Sequence, residues 1–357
     1  MKAVKLAVFV LFAVACAKEG NNSSTASSTS SSSGSVDLTG AGATFPYPLY
    51  SKWFDEYAKL TGVKINYQSI GSGGGIRQLS EGTVDFGASD SPMSDAELAK
   101  AKFGPILHIP TVLGAVVITY NIASLSAPLD LTPQVIADIF GGKITKWNDA
   151  RIASLNPTAS LPSSDILVVH RSDGSGTTYI FTDYLSTAVP SWKGTIGNGK
   201  EVNWPVGLGA KGNEGVAGQV KQTPGAIGYV ELAYAKQNKL PIAAVKNKAG
   251  KFVIASVPAV TAAAAGVANT LPANTDFRVS VVDAPGPDAY PISSFTWILA
   301  YQHQRDSVKG KKLVDFLNWA LTYGEPEAPS LDYGPLPSEM TPKVKAKVAT
   351  IDFAGAK

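Results

Sequence analysis

Three times in this chain a strand-like or small-residue stretch runs into a glycine-and-hydroxyl turn and then into a helical pattern. That repeated junction limits the fold more than any bulk property does. Residues 63–68 alternate as a strand, Ser69-Ile-Gly-Ser-Gly-Gly-Gly75 turns, and a helix begins near Ile76. Residues 166–169 form an apolar run, His170-Arg-Ser-Asp-Gly-Ser-Gly-Thr-Thr178 turns, and residues 179–185 read as the next helix. Near the start, Asp37-Leu-Thr-Gly-Ala-Gly-Ala-Thr-Phe45 is a small-residue turn ahead of Pro46 and Pro48. Tyr47, Leu49, Tyr50, Trp53, Phe54 and Tyr57 then make one helical face. Strand–turn–helix units of this kind predict an α/β protein with helices flanking its sheets.

The same junctions carry chemistry. A helix N-terminus has free backbone N–H groups and the positive end of the dipole, so each turn is a natural anion seat. Thr44, Ser72, Ser175 and Thr177 add hydroxyl donors, and Gly174 and Gly176 let the backbone approach a ligand closely. Arg171 offers a planar fork suited to a tetrahedral oxyanion, and Asp173 stands where it can hold that fork. One such turn alone is better read as a helix cap; three together shift the balance toward a site. None is a nucleotide P-loop, because the Gly-Lys-[Ser/Thr] ending is missing. Neither serine turn is a nucleophile elbow: Ile70 and Asp173 stand where that motif needs its first glycine.

Asp90 ends the stretch Thr83-Val-Asp-Phe-Gly-Ala-Ser-Asp90, just before the capping box of Ser94 and Glu97. Read on its own it is equally a surface turn aspartate. Beside an anion site it makes sense if the anion carries a proton, since an ionised carboxylate only accepts hydrogen bonds. It would welcome hydrogen phosphate and repel sulfate.

The ends and the bulk properties bound the rest. The 357 residues suffice for two domains of ordinary size. The formal net charge is only +3, and Lys2 and Lys5 account for two of those charges, so no basic stripe for a nucleic acid is present. The single cysteine, Cys16, excludes an internal disulfide and a cysteine metal cluster, and His108, His170 and His303 show no ligand spacing; no metal and no cofactor are expected. Residues 1–16 have a basic start and an apolar stretch of residues 6–15, within the ~7–15 residues of a signal peptide and short of the ~20 needed to span a bilayer. Ala13-Val-Ala-Cys16 resembles a bacterial lipoprotein box, with Ala13 where leucine is usual. Cys16 is therefore expected to be lipidated, with residues 17–36 a Ser-rich flexible tether. Further along, residues 106–120 read as β-branched strand crossing between domains and Thr132-Pro133 starts a helix that Gly141-Gly142 ends. Asn213-Glu-Gly215 starts another helix, residues 259–268 are helix or loop, and residues 291–301 are strand. Residues 313–323 are helix, with Gly324 at its C′ position.

Five motifs in order, Thr39-Gly-Ala-Gly-Ala-Thr-Phe45, Gly71-Ser-Gly-Gly-Gly75, Val84-Asp-Phe-Gly-Ala-Ser-Asp90, Arg171-Ser-Asp-Gly-Ser-Gly-Thr177 and Pro224-Gly-Ala-Ile-Gly-Tyr-Val230, closely resemble the phosphate-binding proteins of bacterial ABC-type phosphate importers. The resemblance runs from Asp37 to about Pro342. It implies a two-lobe periplasmic-binding-protein fold of type II, each lobe a mixed sheet flanked by helices and joined by hinge strands. Residues 37–114 and 291–357 would form one lobe and 115–290 the other. It also implies that Thr44 and Phe45 donate backbone amides and the Thr44 hydroxyl, that Ser72 donates hydroxyl and amide, and that Asp90 accepts the phosphate proton. Arg171, steadied by Asp173, would make the charged contact, and Ser175, Gly176 and Thr177 would cap the anion from the second lobe. Gly73 stands where many members have a second serine. The implied partners are inorganic phosphate, the permease subunits of an importer with its ATP-binding subunits, and a membrane reached through the lipid anchor, in the periplasm or on the outer face of the cell membrane.

Three other readings compete. A hydrolase of phosphate esters needs a nucleophile with a base, or metal ligands, and neither is found; no catalytic residue and no enzyme activity are expected. A binder of another tetrahedral oxyanion, sulfate or molybdate, would confront Asp90. A structural or adhesive lipoprotein would leave three anion turns unexplained.

Overall fold

The computed structural model describes residues 38–353 apart from 124, 126 and 273. Cys16 and residues 17–36, expected to form a tether, lie outside the described residues. Eleven strands are described: β1 (Leu38–Gly42), β2 (Ile65–Ser69), β3 (Phe86–Ser89), β4 (Ile106–Tyr120), β5 (Asp130–Leu131), β6 (Leu167–Arg171), β7 (Leu208–Ala210), β8 (Ala226–Glu231), β9 (Ala244–Lys246), β10 (Phe252–Val253) and β11 (Ser293–Tyr301). Eight of them make one mixed sheet in the order β2-β1-β3-β11-β4-β8-β6-β7, and β10-β9-β5 form a small second sheet. Helices fill the connections, as the strand–turn–helix pattern requires.

β4 is the spine of this arrangement. Its fifteen residues are buried almost throughout, which is why it reads as a continuous apolar run rather than an alternating one. Ile106 to Ala115 lie antiparallel to β11. From Val116 to Tyr120 the same strand pairs with β8, with Val116 opposite Glu231. One half of the sheet, β2-β1-β3-β11, therefore hangs on the first part of β4, and the other half, β8-β6-β7, on the last part. The chain returns beside the changeover, where the Val116 amide donates to the Ile292 carbonyl at 2.9 Å.

Most expected elements are present, including the helix Pro133–Phe140 with Thr132 as its cap and the Ser94–Glu97 capping box. The helix Val257–Ala268 resolves the alternative left open at residues 259–268. Two local expectations are corrected. The glycine-rich opening is strand β1, not a turn. A Cβ at Gly40 would collide with the tip of the Phe86 ring, and Gly42 presses on the Ala88 backbone at φ 146°. The small residues serve close approach between neighbouring strands rather than chain reversal. Gly324 is the second case. The helix starts earlier, at Ser307–Trp319, and passes into a π-helical turn Ala320–Gly324. Gly324 has φ −76°, so it is no left-handed terminator. It is there because the Trp53 ring packs against it and the indole Nε1 donates to its carbonyl at 2.9 Å.

That contact fastens the helix Tyr47–Thr61 to the C-terminal helical region at a fully buried tryptophan. Trp53→Phe removes this buried donor to the Gly324 carbonyl and is expected to lower stability by about 1–3 kcal/mol. Urea unfolding followed by circular dichroism measures it.

Candidate functional site

The expected residues converge. The helix Ser72–Glu81 follows β2 and the helix Gly176–Ala188 follows β6, so their N-termini come from opposite halves of the sheet. They meet at Ser72 and Gly176: the Gly176 amide donates to Ser72 Oγ at 3.1 Å. The Asp90 amide donates to the same oxygen at 3.2 Å, and Ser72 Oγ lies 3.4 Å from Asp90 Oδ2. A Cβ at Gly176 would fall 2.5 Å from both Ser72 Oγ and Asp90 Oδ2, so a side chain there would drive the two halves apart. Beside this joint the Gly73 amide donates to the Gly174 carbonyl at 2.8 Å, again across the halves. Gly73 thus contributes backbone to the joint. At the rim Lys200 and Glu97 form an ion pair at 2.8 Å, likewise across the halves.

Arg171 is buried at the end of β6. Asp173 grips its guanidinium with two bonds, Nε to Oδ1 at 2.8 Å and Nη2 to Oδ2 at 2.5 Å, and Oδ1 also takes the Gly212 amide at 3.1 Å. Burial works to raise the Asp173 carboxyl, but the Arg171 bonds and charge with the Gly212 amide hold it below its ordinary value. The free face of the fork reaches Thr177 Oγ1 through Nη1 at 3.2 Å. Ser175 caps its own helix, its Oγ accepting the Thr178 amide at 3.0 Å. Behind the fork, the Arg171 amide donates to the Tyr229 hydroxyl at 3.1 Å.

Thr44 stands just ahead of the helix Tyr47–Thr61, buried, with Phe45 beneath it against Gly114. Its hydroxyl reaches the other half of the sheet through Asn213, whose backbone N and Nδ2 both donate to Thr44 Oγ1, at 3.2 and 2.8 Å. Nδ2 also donates to Thr177 Oγ1 at 3.0 Å. The Thr44 and Phe45 carbonyls accept from the Tyr234 and Tyr333 hydroxyls, each at 2.6 Å. Thr44, Ser72, Asp90, Arg171, Ser175, Gly176 and Thr177 thus belong to one buried network fed by both halves.

Asp90 is no surface turn residue. It is 1% exposed, and burial pushes its carboxyl up to about 7 against the hydrogen bond from Thr296 and the Arg171 charge. Thr296 Oγ1, in the middle of β11, donates to Asp90 Oδ1 at 2.7 Å.

Several residues that sequence reasoning missed complete the arrangement: Asn213, Thr296, Tyr229, Tyr234, Tyr333 and Glu231. Thr296 left a trace, a hydroxyl inside an apolar strand. Asn213 left none beyond its place at a helix start, because its partners lie far away in sequence. Glu231 Oε2 takes the Ala233 amide and the Tyr333 hydroxyl, and burial pushes this carboxyl well above its ordinary range.

Residues 23–322 match the PBP superfamily domain. The phosphate-binding protein PstS of Pasteurella multocida is 47% identical over 314 residues, covering 88% of this chain and 90% of that protein. The chain belongs to the PstS family of phosphate-binding proteins. A phosphate-binding protein from Stenotrophomonas maltophilia matches at 26% identity and TM-score 0.67, over 90% of this chain and 96% of its own. The periplasmic phosphate-binding protein PfluDING, solved with phosphate bound, shares the fold at 24% identity and TM-score 0.72, over 87% of this chain and 93% of its own. The type II periplasmic-binding-protein fold is therefore shown, as the five motifs implied.

In this PstS family member the buried acid has a measurable signature. A carboxyl that titrates near 7 when folded and near 3.8 when unfolded favours the fold while neutral. That contribution is complete below the unfolded value and is lost as pH rises through about 7. Asp90→Asn is neutral throughout. In phosphate-free buffer its Tm is expected to match that of the parent near pH 4 and to exceed it at pH 8. Differential scanning calorimetry across that range reads the gap, and a gap that stays flat with pH contradicts the assignment.

Proposed function

We propose that this chain captures one inorganic phosphate between the two halves of its sheet, with Thr44, Phe45, Ser72, Asp90, Arg171, Ser175, Gly176 and Thr177 as its contacts. The observation that carries this reading is the donor-rich joint of Ser72, Gly176 and Arg171 built around the buried carboxyl of Asp90. Backbone amides at three helix starts, the four hydroxyls of Thr44, Ser72, Ser175 and Thr177, and a braced guanidinium can all donate to a tetrahedral oxyanion. Ionised Asp90 can only accept, so it reads whether the oxyanion brings a proton. The chain is a binding protein of an ABC-type phosphate importer and not an enzyme.

Residues 37–114 and 291–357 serve as one lobe and residues 115–290 as the other, in keeping with the changeover of β4 from β11 to β8 at Ala115 and Val116. Neither lobe alone surrounds an anion, so ligand contacts favour the closed arrangement by bridging both. The delivery partners are the permease subunits and ATP-binding subunits of the importer. Cys16 carries the lipid anchor, residues 1–16 are the signal peptide, and residues 17–36 tether the body at the outer face of the cell membrane or in the periplasm. Among the described residues no helix is long and apolar enough to cross a membrane.

Because Asp90 titrates near 7, discrimination depends on pH. Above that value sulfate meets an ionised carboxylate with no proton between them. Below it Asp90 supplies the proton itself. Calorimetry is expected to give one phosphate per chain, sulfate binding far weaker at pH 8, and a narrower gap at pH 5.5. Asp90→Asn narrows the gap at both pH values. Arg171→Ala weakens both anions, by roughly 10- to 100-fold for each charged hydrogen bond lost. Equal affinities of the parent for the two anions at pH 8 would falsify the role given to Asp90.

A further inference from the structure

Asn213 touches the proposed site only through other residues, yet its hydrogen bonds leave two of the site's hydroxyls a single role. A threonine hydroxyl has one proton to give and two lone pairs to fill. Both lone pairs of Thr44 Oγ1 are filled by Asn213, from the backbone N at 3.2 Å and from Nδ2 at 2.8 Å. Both lone pairs of Thr177 Oγ1 are filled as well, by Asn213 Nδ2 at 3.0 Å and Arg171 Nη1 at 3.2 Å. None of these donors can accept in return, so each hydroxyl proton is left to donate. The amide cannot be turned over to undo this, because Oδ1 accepts the Glu231 backbone amide at 2.9 Å. That amide fixes which end of the side chain is oxygen. The two Nδ2 protons are thereby divided, one to each threonine.

We propose that Asn213 is a positioning residue that sets Thr44 and Thr177 as obligate donors to the anion, one from each half of the sheet, so that Asp90 remains the acceptor of the site. The inference rests on the phosphate reading and deepens it. Asn213 is fully buried at the start of the helix Gly212–Gln222, and its side-chain bonds go to Thr44, Thr177 and the Glu231 amide. Its effect is to prepay the ordering of two rotors that would otherwise be free to accept from one another, from water or from a protonated oxyanion.

A double-mutant cycle on the full chain tests it, with phosphate affinity read by calorimetry. Asn213→Leu keeps the approximate size and removes both donors and the acceptor. It is expected to weaken phosphate on the order of 100-fold, as if two hydrogen bonds to a charged group were lost or misdirected. The pair Thr44→Val and Thr177→Val removes the hydroxyls themselves. In that background adding Asn213→Leu is expected to change affinity by less than about threefold, since its targets are gone. A merely structural asparagine would cost as much in the valine background as in the parent, and that additivity overturns the inference. So does an Asn213→Leu chain that binds phosphate as the parent does. Where the leucine variant fails to fold, Asn213→Ala runs the same cycle. A parent chain that ignores phosphate overturns the binding reading and this inference with it; additive losses in a chain that binds phosphate overturn the inference alone.

Discussion

A carboxylate buried among hydrogen-bond donors is the constraint on which the remaining geometry depends. Asp90 is 1% exposed, and its two oxygens are met by the hydroxyls of Thr296 and Ser72. Taking a carboxylate out of water is unfavourable unless its surroundings answer it. Here they answer it only in part, which is why its titration rises to about 7 rather than staying near 3.8. On the proposed reading, an acid left in that condition would share a proton with the oxyanion it meets. The same burial that makes Asp90 unfavourable by itself makes it selective, since in a low-dielectric site a missing proton is not screened.

Holding the acid there requires a frame to which both halves of the sheet contribute. β4 provides the continuity. Its first ten residues are zipped to β11 and its last five to β8, so the proposed hinge falls near Ala115 and Val116. The contacts across the joint are individually small: an amide to a serine oxygen, an amide to a carbonyl, and an ion pair between Lys200 and Glu97 at the rim. The two carboxylate-bearing partners differ in what they supply. The rim pair is partly exposed and therefore screened. The buried Asp173–Arg171 pair keeps a guanidinium in one orientation within the second half, ready before closure.

How far this could be read beforehand follows from where each residue finds its partners. Ser72, Arg171, Ser175 and Thr177 are placed by turns that announce themselves within ten residues, so strand, turn and helix were legible together. Asp90 was legible as a residue that capping could not explain, though not as a buried one. The opening strand was missed because glycine and alanine lower strand propensity, and what makes them necessary, the Phe86 ring and the Ala88 backbone, lies over forty residues on. Gly324 looked like a helix terminator for the same reason. Its use is set by Trp53, at the far end of the chain's folding path. Asn213 is the sharpest case: Thr44 is 169 residues distant and Thr177 is 36. Local pattern gives a helix start there and nothing more.

Asn213 also shows why orientation and closure need not be separate devices. Thr44 belongs to the half of the sheet built on β1, whereas Asn213 and Thr177 belong to the half built on β6 and β8. In the proposed opening of the halves the bonds from Asn213 to Thr44 would part, and the Thr44 hydroxyl would regain its freedom to accept. Thr177, held by Arg171 and Asn213 within one half, is already set as a donor in either arrangement. A ligand entering an open cleft would thus meet one half prepared and the other still adaptable. On the proposed reading the last hydroxyl would become a donor by the act of closing, so the full donor set, and with it the demand for a proton at Asp90, would apply only to an anion that the two halves had already enclosed.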